Sequence, residues 1–402
     1  MKELILKPKI SQLILKKNID LYQKDFTQVP KSCFPGEWVL IKEKAGDLSF
    51  IGYINPFIKN GPLVRIIETH NGSEEDEALL AHKIILKNLL KAINNRKIFR
   101  DYGACKRLAH GSADNLPGLI VDQYINVIFI QINTAGIDRF RNEIKEFLST
   151  TFPDQKIHFL DSLKYRKNEG LPQYPQEEFK EDLEIQENGF TYYLPPKLMQ
   201  KVGYYYDHRE NRKKLELKLK DLNISLEQGL DLYCYMGSWG MHLLRGGVKN
   251  LTFVDQGNFE EQITANLNKN KLSGRGRFVR SDVFKFLDDA LSSDQTFNVV
   301  VGDPPAFSKE LKNVDKALVG YQKLHRKVMK VLAPEALYAA ASCTHNISFS
   351  DLAKTVYEAS LREGKTLQII DVGVQGGDHP FFSFKSREHY LKYILYIIRE
   401  RE

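Results

Sequence analysis

The stretch Asp231-Leu232-Tyr233-Cys234-Tyr235-Met236-Gly237-Ser238-Trp239-Gly240 decides the fold. An apolar run ends in an acid and then in two glycines that let the backbone turn tightly into a following helix. Outward from it, strand-like apolar runs recur at residues 230–232, 251–254, 277–279, 299–301, 337–340 and 367–372, with 390–397 last. Amphipathic runs lie between them. That alternation predicts an α/β domain with a parallel, doubly wound, Rossmann-like sheet over residues 183–402.

In such sheets ligands settle at the carboxyl ends of the strands, and acids stand there in series. Asp255 is placed to accept from ribose hydroxyls, and Asp282 from an adenine amino group or as a helix N-cap. Gly237 and Gly240 let the backbone approach a bound methionine moiety, whose carboxylate meets free N–H groups of the helix. The expected cofactor is S-adenosyl-L-methionine, framed by Asp231, Tyr233, Gly237, Ser238, Asp255, Gln256, Asp282, Val283 and Asp303. A dinucleotide oxidoreductase would show the fuller G-x-G-x-x-G turn.

The fourth strand leads into Asp303-Pro304-Pro305-Ala306-Phe307, whose prolines stiffen the chain and remove two donors. Asp303 and nearby carbonyls then face a planar base edge, with Phe307 as a wall or stacking partner. Lys309 is a candidate for holding a target phosphate or the base. Ser342-Cys343-Thr344 ends the fifth strand beside this expected pocket. A lone cysteine is more often a small buried hydrophobe, but this position favours Cys343 as a nucleophile adding to carbon 6 of a pyrimidine. His345, beside Cys343, is a candidate for tuning the thiol, with a merely exposed histidine as the plainer reading.

The chain has 402 residues, enough for two or three domains. Residues 1–72 carry short strand-like runs punctuated by Pro and Gly, which predicts a small β-barrel-like module. Residues 73–182 hold a helix over about 75–100, paired strands and a linker over 168–182, an α+β middle domain. The net charge of +7 permits a polyanionic partner. Among Lys83, Lys87, Lys91, Arg96, Lys97, Arg100, Lys106 and Arg107 there is one acid, Asp101. A solvated face and an RNA-backbone surface explain that run equally well. Four scattered cysteines without CxxC or metal-ligand spacing predict a reducing, cytoplasmic setting and no metal. No apolar run is long enough to predict a membrane span.

On these motifs the chain resembles the RlmI-like ribosomal RNA large-subunit methyltransferases, which form 5-methylcytosine in 23S ribosomal RNA. The likeness extends to Asp114-Asn115-Leu116-Pro117-Gly118, Gly203-Tyr204-Tyr205-Tyr206-Asp207-His208-Arg209-Glu210-Asn211-Arg212 and Gly377-Asp378-His379-Pro380. The resemblance implies an N-terminal PUA domain, a Rossmann-like catalytic domain, ribosomal RNA as partner and Cys343 as nucleophile. It implies that Tyr206, Asp207 and Arg209 close over the cofactor, and it suggests a homodimer that no sequence feature demands. Ser238 and Trp239 stand where the family more often has Gly and Phe. Ala306 stands where many other RNA cytosine methyltransferases carry a second cysteine. Related proteins of this architecture modify other nucleotides, which leaves a reading with Cys343 structural, and a non-catalytic RNA-binding or ribosome-assembly factor as a third.

Overall fold

The computed structural model describes residues 1–401 except 18–19, 45–47, 59–60, 71–76, 175–178, 200–202, 308–313, 385 and 387. Lys309 therefore lies outside the described residues. The chain divides into two compact units: Met1–Leu183 with Gly377–Glu388, and Glu184–Gly376 with His389–Glu402. Among the described residues no helix is long and apolar enough to cross a membrane.

In the first unit the expected β-rich module is a five-stranded sheet in the order Phe26–Gln28, Lys2–Leu6, Glu37–Glu43, Ser49–Ile54, Val64–His70. Residues 73–182 contribute the helix Glu77–Arg96 and a four-stranded sheet of Lys106–His110, Leu119–Gln123, Val127–Ile132 and Lys156–Phe159. The two expected domains share one core, in which Trp38, Ile51 and Tyr53 join Ile85, Leu89, Val121 and Ile130. Tyr53 also donates its buried hydroxyl to the Pro117 carbonyl at 2.7 Å. Phe179, inside the expected linker, packs edge-on against Phe129. The late segment 377–388 also belongs here. Buried Asp378 accepts from the Arg107 backbone N–H, and Arg96 donates to the Asp378 carbonyl while pairing with Asp114 at 2.5 Å. Arg96 and Arg107, counted above as candidate RNA contacts, are thus committed to ion pairs with Asp114 and Asp122.

The second unit opens with the hairpin Leu183–Glu187 and Phe190–Leu194, turned by Asn188 and Gly189 at positive φ. Its main sheet has seven strands: β1 (Gln228–Leu232), β2 (Asn250–Asp255), β3 (Gly276–Arg280), β4 (Phe297–Gly302), β5 (Leu332–Ser342), β6 (Lys365–Gly373) and β7 (Lys392–Glu400). The spatial order is β3-β2-β1-β4-β5-β7-β6. Strands β1 to β5 are parallel, whereas β7 runs antiparallel to both β5 and β6. The all-parallel expectation is corrected there: the connection over residues 374–391, much of it assigned to the first unit, shows no crossover helix among its described residues to preserve direction, and β7 enters reversed. The helices are α1 (Ser238–Arg245), α2 (Glu260–Lys269), α3 (Val283–Ser292), α4 (Val314–Val331) and α5 (Phe349–Arg362). One sheet face, including Leu230, Leu232, Val300 and Tyr338, is covered by Phe286, Tyr321, Leu324, Val328 and Leu352 from α3, α4 and α5.

On α1, Gly240 is required by space. A Cβ there would sit 2.1 Å from the Phe253 ring and 2.5 Å from Leu251 Cδ2, both on β2. Overpacking of this kind costs about 1–3 kcal/mol. Gly240→Ala is expected to lower the denaturation midpoint accordingly, read by urea unfolding of the purified protein.

Candidate active site

The loop after β1 is strained. Tyr233, Tyr235 and Gly237 take φ of 60°, 49° and 84°, and tyrosine rarely adopts such values. The conformation is held from several sides. Asp231 is fully buried and accepts the Gly240 N–H at 2.9 Å, and burial pushes its carboxyl well above the usual range. Asp231 thus ties the start of α1 to β1. Asp255, ending β2, accepts from Tyr235 N at 3.1 Å and Gly257 N at 2.8 Å. Its carboxylate is fixed and still partly exposed, with lone pairs left for a diol. Asp282 caps α3 through Oδ1, which accepts from Phe284 N and Lys285 N. The side chain is exposed, so its cap role leaves Oδ2 to face outward.

Asp303 follows β4 and meets Trp239 of α1, whose indole N–H donates to Oδ2 at 3.0 Å. Asn211 donates to His208 Nδ1 at 3.2 Å and to the Val374 carbonyl at 3.0 Å. A neutral His208 therefore carries its proton on Nε2, 3.5 Å from Asp303 Oδ2. Burial would raise the Asp303 carboxyl, but His208 and Trp239 outweigh it and hold the group below its ordinary value. It is an oriented acceptor.

Cys343 follows β5, the strand beside β4, and its Sγ lies 3.9 Å from the Pro304 carbonyl. The turn is pinned by Tyr321 of α4, whose hydroxyl bonds Ser342 Oγ at 2.8 Å and Thr344 Oγ1 at 3.0 Å. Burial, then Asp303 and Asp207, push the thiol up to about 12. Asp207 accepts from the Tyr390 hydroxyl at 2.7 Å. Two carboxylates, Asp303 and Asp207, thus bear on the thiol.

The other expected residues divide. Pro304 is buried and Pro305 exposed, while Phe307 sits edge-on to Tyr321 with ring centroids 4.7 Å apart. Gln256 is exposed and Val283 joins the core of α3. Tyr206 and Arg209 are each 1% exposed, with the guanidinium 4.9 Å over the Tyr206 ring. Both are packed inside the unit, whereas Tyr205, Asp207 and His208 of that segment bear on the Asp303–Cys343 cluster. His208, Tyr321, Tyr390 and Lys392 were not expected at the site. Their signals were local to helices and a strand end and read as core.

No protein-family model matches the chain. The ribosomal RNA large subunit methyltransferase I of Pseudoalteromonas atlantica is 31% identical over 291 residues, covering 71% of this chain and 72% of that one. The chain belongs to the ribosomal RNA large subunit methyltransferase I family. The family member of Aeromonas hydrophila is likewise 31% identical, over 293 residues and 72% of its length. Among solved structures, a Streptococcus mutans protein described as a candidate SAM-dependent methyltransferase superposes with a TM-score of 0.78 over 99% of this chain and all of that one. At 19% identity this establishes the shared fold, Rossmann-like in its second unit. The indole N–H of Trp239 is what lets this position donate to Asp303, which a phenylalanine there could not do.

Proposed function

We propose that this family member is an S-adenosylmethionine-dependent methyltransferase that forms 5-methylcytosine in large-subunit ribosomal RNA, with Cys343 as nucleophile. The observation that carries the reading is the convergence of Cys343 and Asp303 from adjacent strand ends, 3.9 Å separating Cys343 Sγ from the Pro304 carbonyl. The relatives' names supply the substrate class. Residues 1–72 are taken as a PUA-like RNA-binding domain, 73–182 as an α+β middle domain and 183–402 as the catalytic domain, with 377–388 contributed to the first unit.

The residues present fit the cofactor. Asp255 is fixed as a diol acceptor, Asp282 faces outward, and α1 offers its first N–H groups beside Gly237. When bound, the cofactor supplies an electrophilic methyl group on sulfur. Asp303 accepts from the exocyclic amine of a base that has left its stack, fixing the ring. Cys343 Sγ loses its proton and bonds to carbon 6, which places electron density on carbon 5 for methyl capture. Loss of the carbon-5 proton then re-forms the ring double bond and expels the thiolate.

The test incubates the protein with methyl-labelled S-adenosylmethionine and unmodified large-subunit RNA, then identifies the labelled nucleoside by mass spectrometry. Labelled 5-methylcytosine is the expected product. Another labelled nucleoside would keep the fold and cofactor and reduce Cys343 to packing. No label, with naked RNA or assembled subunits, would favour a binding factor.

A further inference from the structure

Lys392 opens β7, where it pairs in register with Ser342, the residue before Cys343. It is 1% exposed. Its ammonium donates to the Thr344 carbonyl at 2.7 Å and the Tyr390 carbonyl at 2.8 Å. Among the described residues no carboxylate pairs with it. A buried lysine is normally matched by an anion, because desolvating an uncompensated charge is costly. Two of its three N–H donors are used, which leaves one. One of these contacts, to the Thr344 carbonyl, lies on the turn that carries the thiol.

We infer that Lys392 is the positioning residue whose positive charge stabilises the Cys343 thiolate. This rests on the reading of Cys343 as nucleophile. The groups that bear on the thiol are Asp303 and Asp207, which oppose its ionisation, and Lys392, which favours it. The phenols of Tyr321 and Tyr205 also interact electrostatically with the thiol. Lys392 in turn feels Cys343 and Asp351, and burial brings its ammonium down to about 8. Below about pH 8 the lysine is therefore charged, and when the thiol gives up its proton the ammonium stands ready to stabilise the thiolate that forms.

The test is the pH profile of Cys343 alkylation by iodoacetamide, with peptide mass spectrometry resolving it from Cys33, Cys105 and Cys234. In the unsubstituted protein, whose thiol is pushed up to about 12, the alkylation rate should climb with pH through the neutral and mildly alkaline range. Lys392→Met and Lys392→Gln, checked for cooperative melting, should alkylate at least about tenfold more slowly at pH 8, one unit of thiol shift. Lys392→Arg should stay near the parent. Neutral variants whose profiles superimpose on the parent overturn the inference. Retained methyl transfer in Cys343→Ala would instead remove the nucleophile reading and leave the lysine–thiol coupling standing.

Discussion

Cys343→Ala is expected to lose at least roughly a thousandfold in methyl-transfer rate, because no neighbouring group can replace a carbon nucleophile of this kind. Its melting temperature should hardly move. The thiol is partly exposed, its polar contact is the long 3.9 Å approach to Pro304, and the turn is held by Tyr321 and Ser342. The substitution therefore separates chemistry from folding. The pH dependence has a defined sign. With the thiol pushed up to about 12, the thiolate fraction in the free protein rises with pH throughout the neutral and mildly alkaline range. The rate should rise likewise until another group limits it. Single-turnover assays with labelled cofactor between pH 6.5 and 9.5 read both effects. A variant that methylates at the parent rate would end the covalent mechanism.

Arg212→Met should cost about 3 kcal/mol of stability, the largest folding effect in the second unit. Glu187 is fully buried at the end of its strand, and Arg212 grips it through two bonds of 2.8 Å each. Arg209 at 3.9 Å and His242 at 3.8 Å recover part of the lost attraction. In the parent, burial would raise the Glu187 carboxyl, but Arg212 and His242 outweigh it and bring it down to about 2. That folded value lies below the unfolded one, so the pair's stabilisation is present above about pH 4.5 and lost as pH falls toward 2. Without Arg212 the sign reverses. A poorly compensated carboxylate is disfavoured, its folded value rises, and the penalty grows as pH increases past the unfolded value. Urea unfolding at pH 4 and pH 7 should show the variant closer to the parent at pH 4. An equal deficit at both pH values would mean that lost packing dominates.

The main sheet was legible because its strands carry apolar runs, and each run overlaps an observed strand from β1 to β7. The reversed β7 was not legible: direction is set by the connection, and the apolar run 390–397 reads the same either way. Asn188-Gly189 is a plain hairpin signal that went unread beside the stronger motifs. Lys2–Leu6 was obscured by its charges, since a strand whose register pairs Lys2 with Val39 tolerates lysine at its exposed positions. At the site, Asp255, Asp303 and Cys343 carry their positions in the sequence. His208, Tyr321 and Lys392 act through neighbours brought in by packing. Tyr321 shares a helix face with Ala317, Leu324 and Val328, so its spacing signals core and conceals a hydroxyl aimed at Ser342.

The clasp formed by Asp378 bears on how the protein is made. Arg107 and Arg96 emerge early during synthesis, whereas the carboxylate and carbonyl they bind arrive near the end of the chain. At about 5–20 residues per second, the stretch from Leu183 to Gly377 takes roughly 10–40 s to translate. For that interval the Arg107 backbone N–H and part of the Arg96 guanidinium await their acceptors on Asp378, while Arg96 and Arg107 already have Asp114 and Asp122 to pair with.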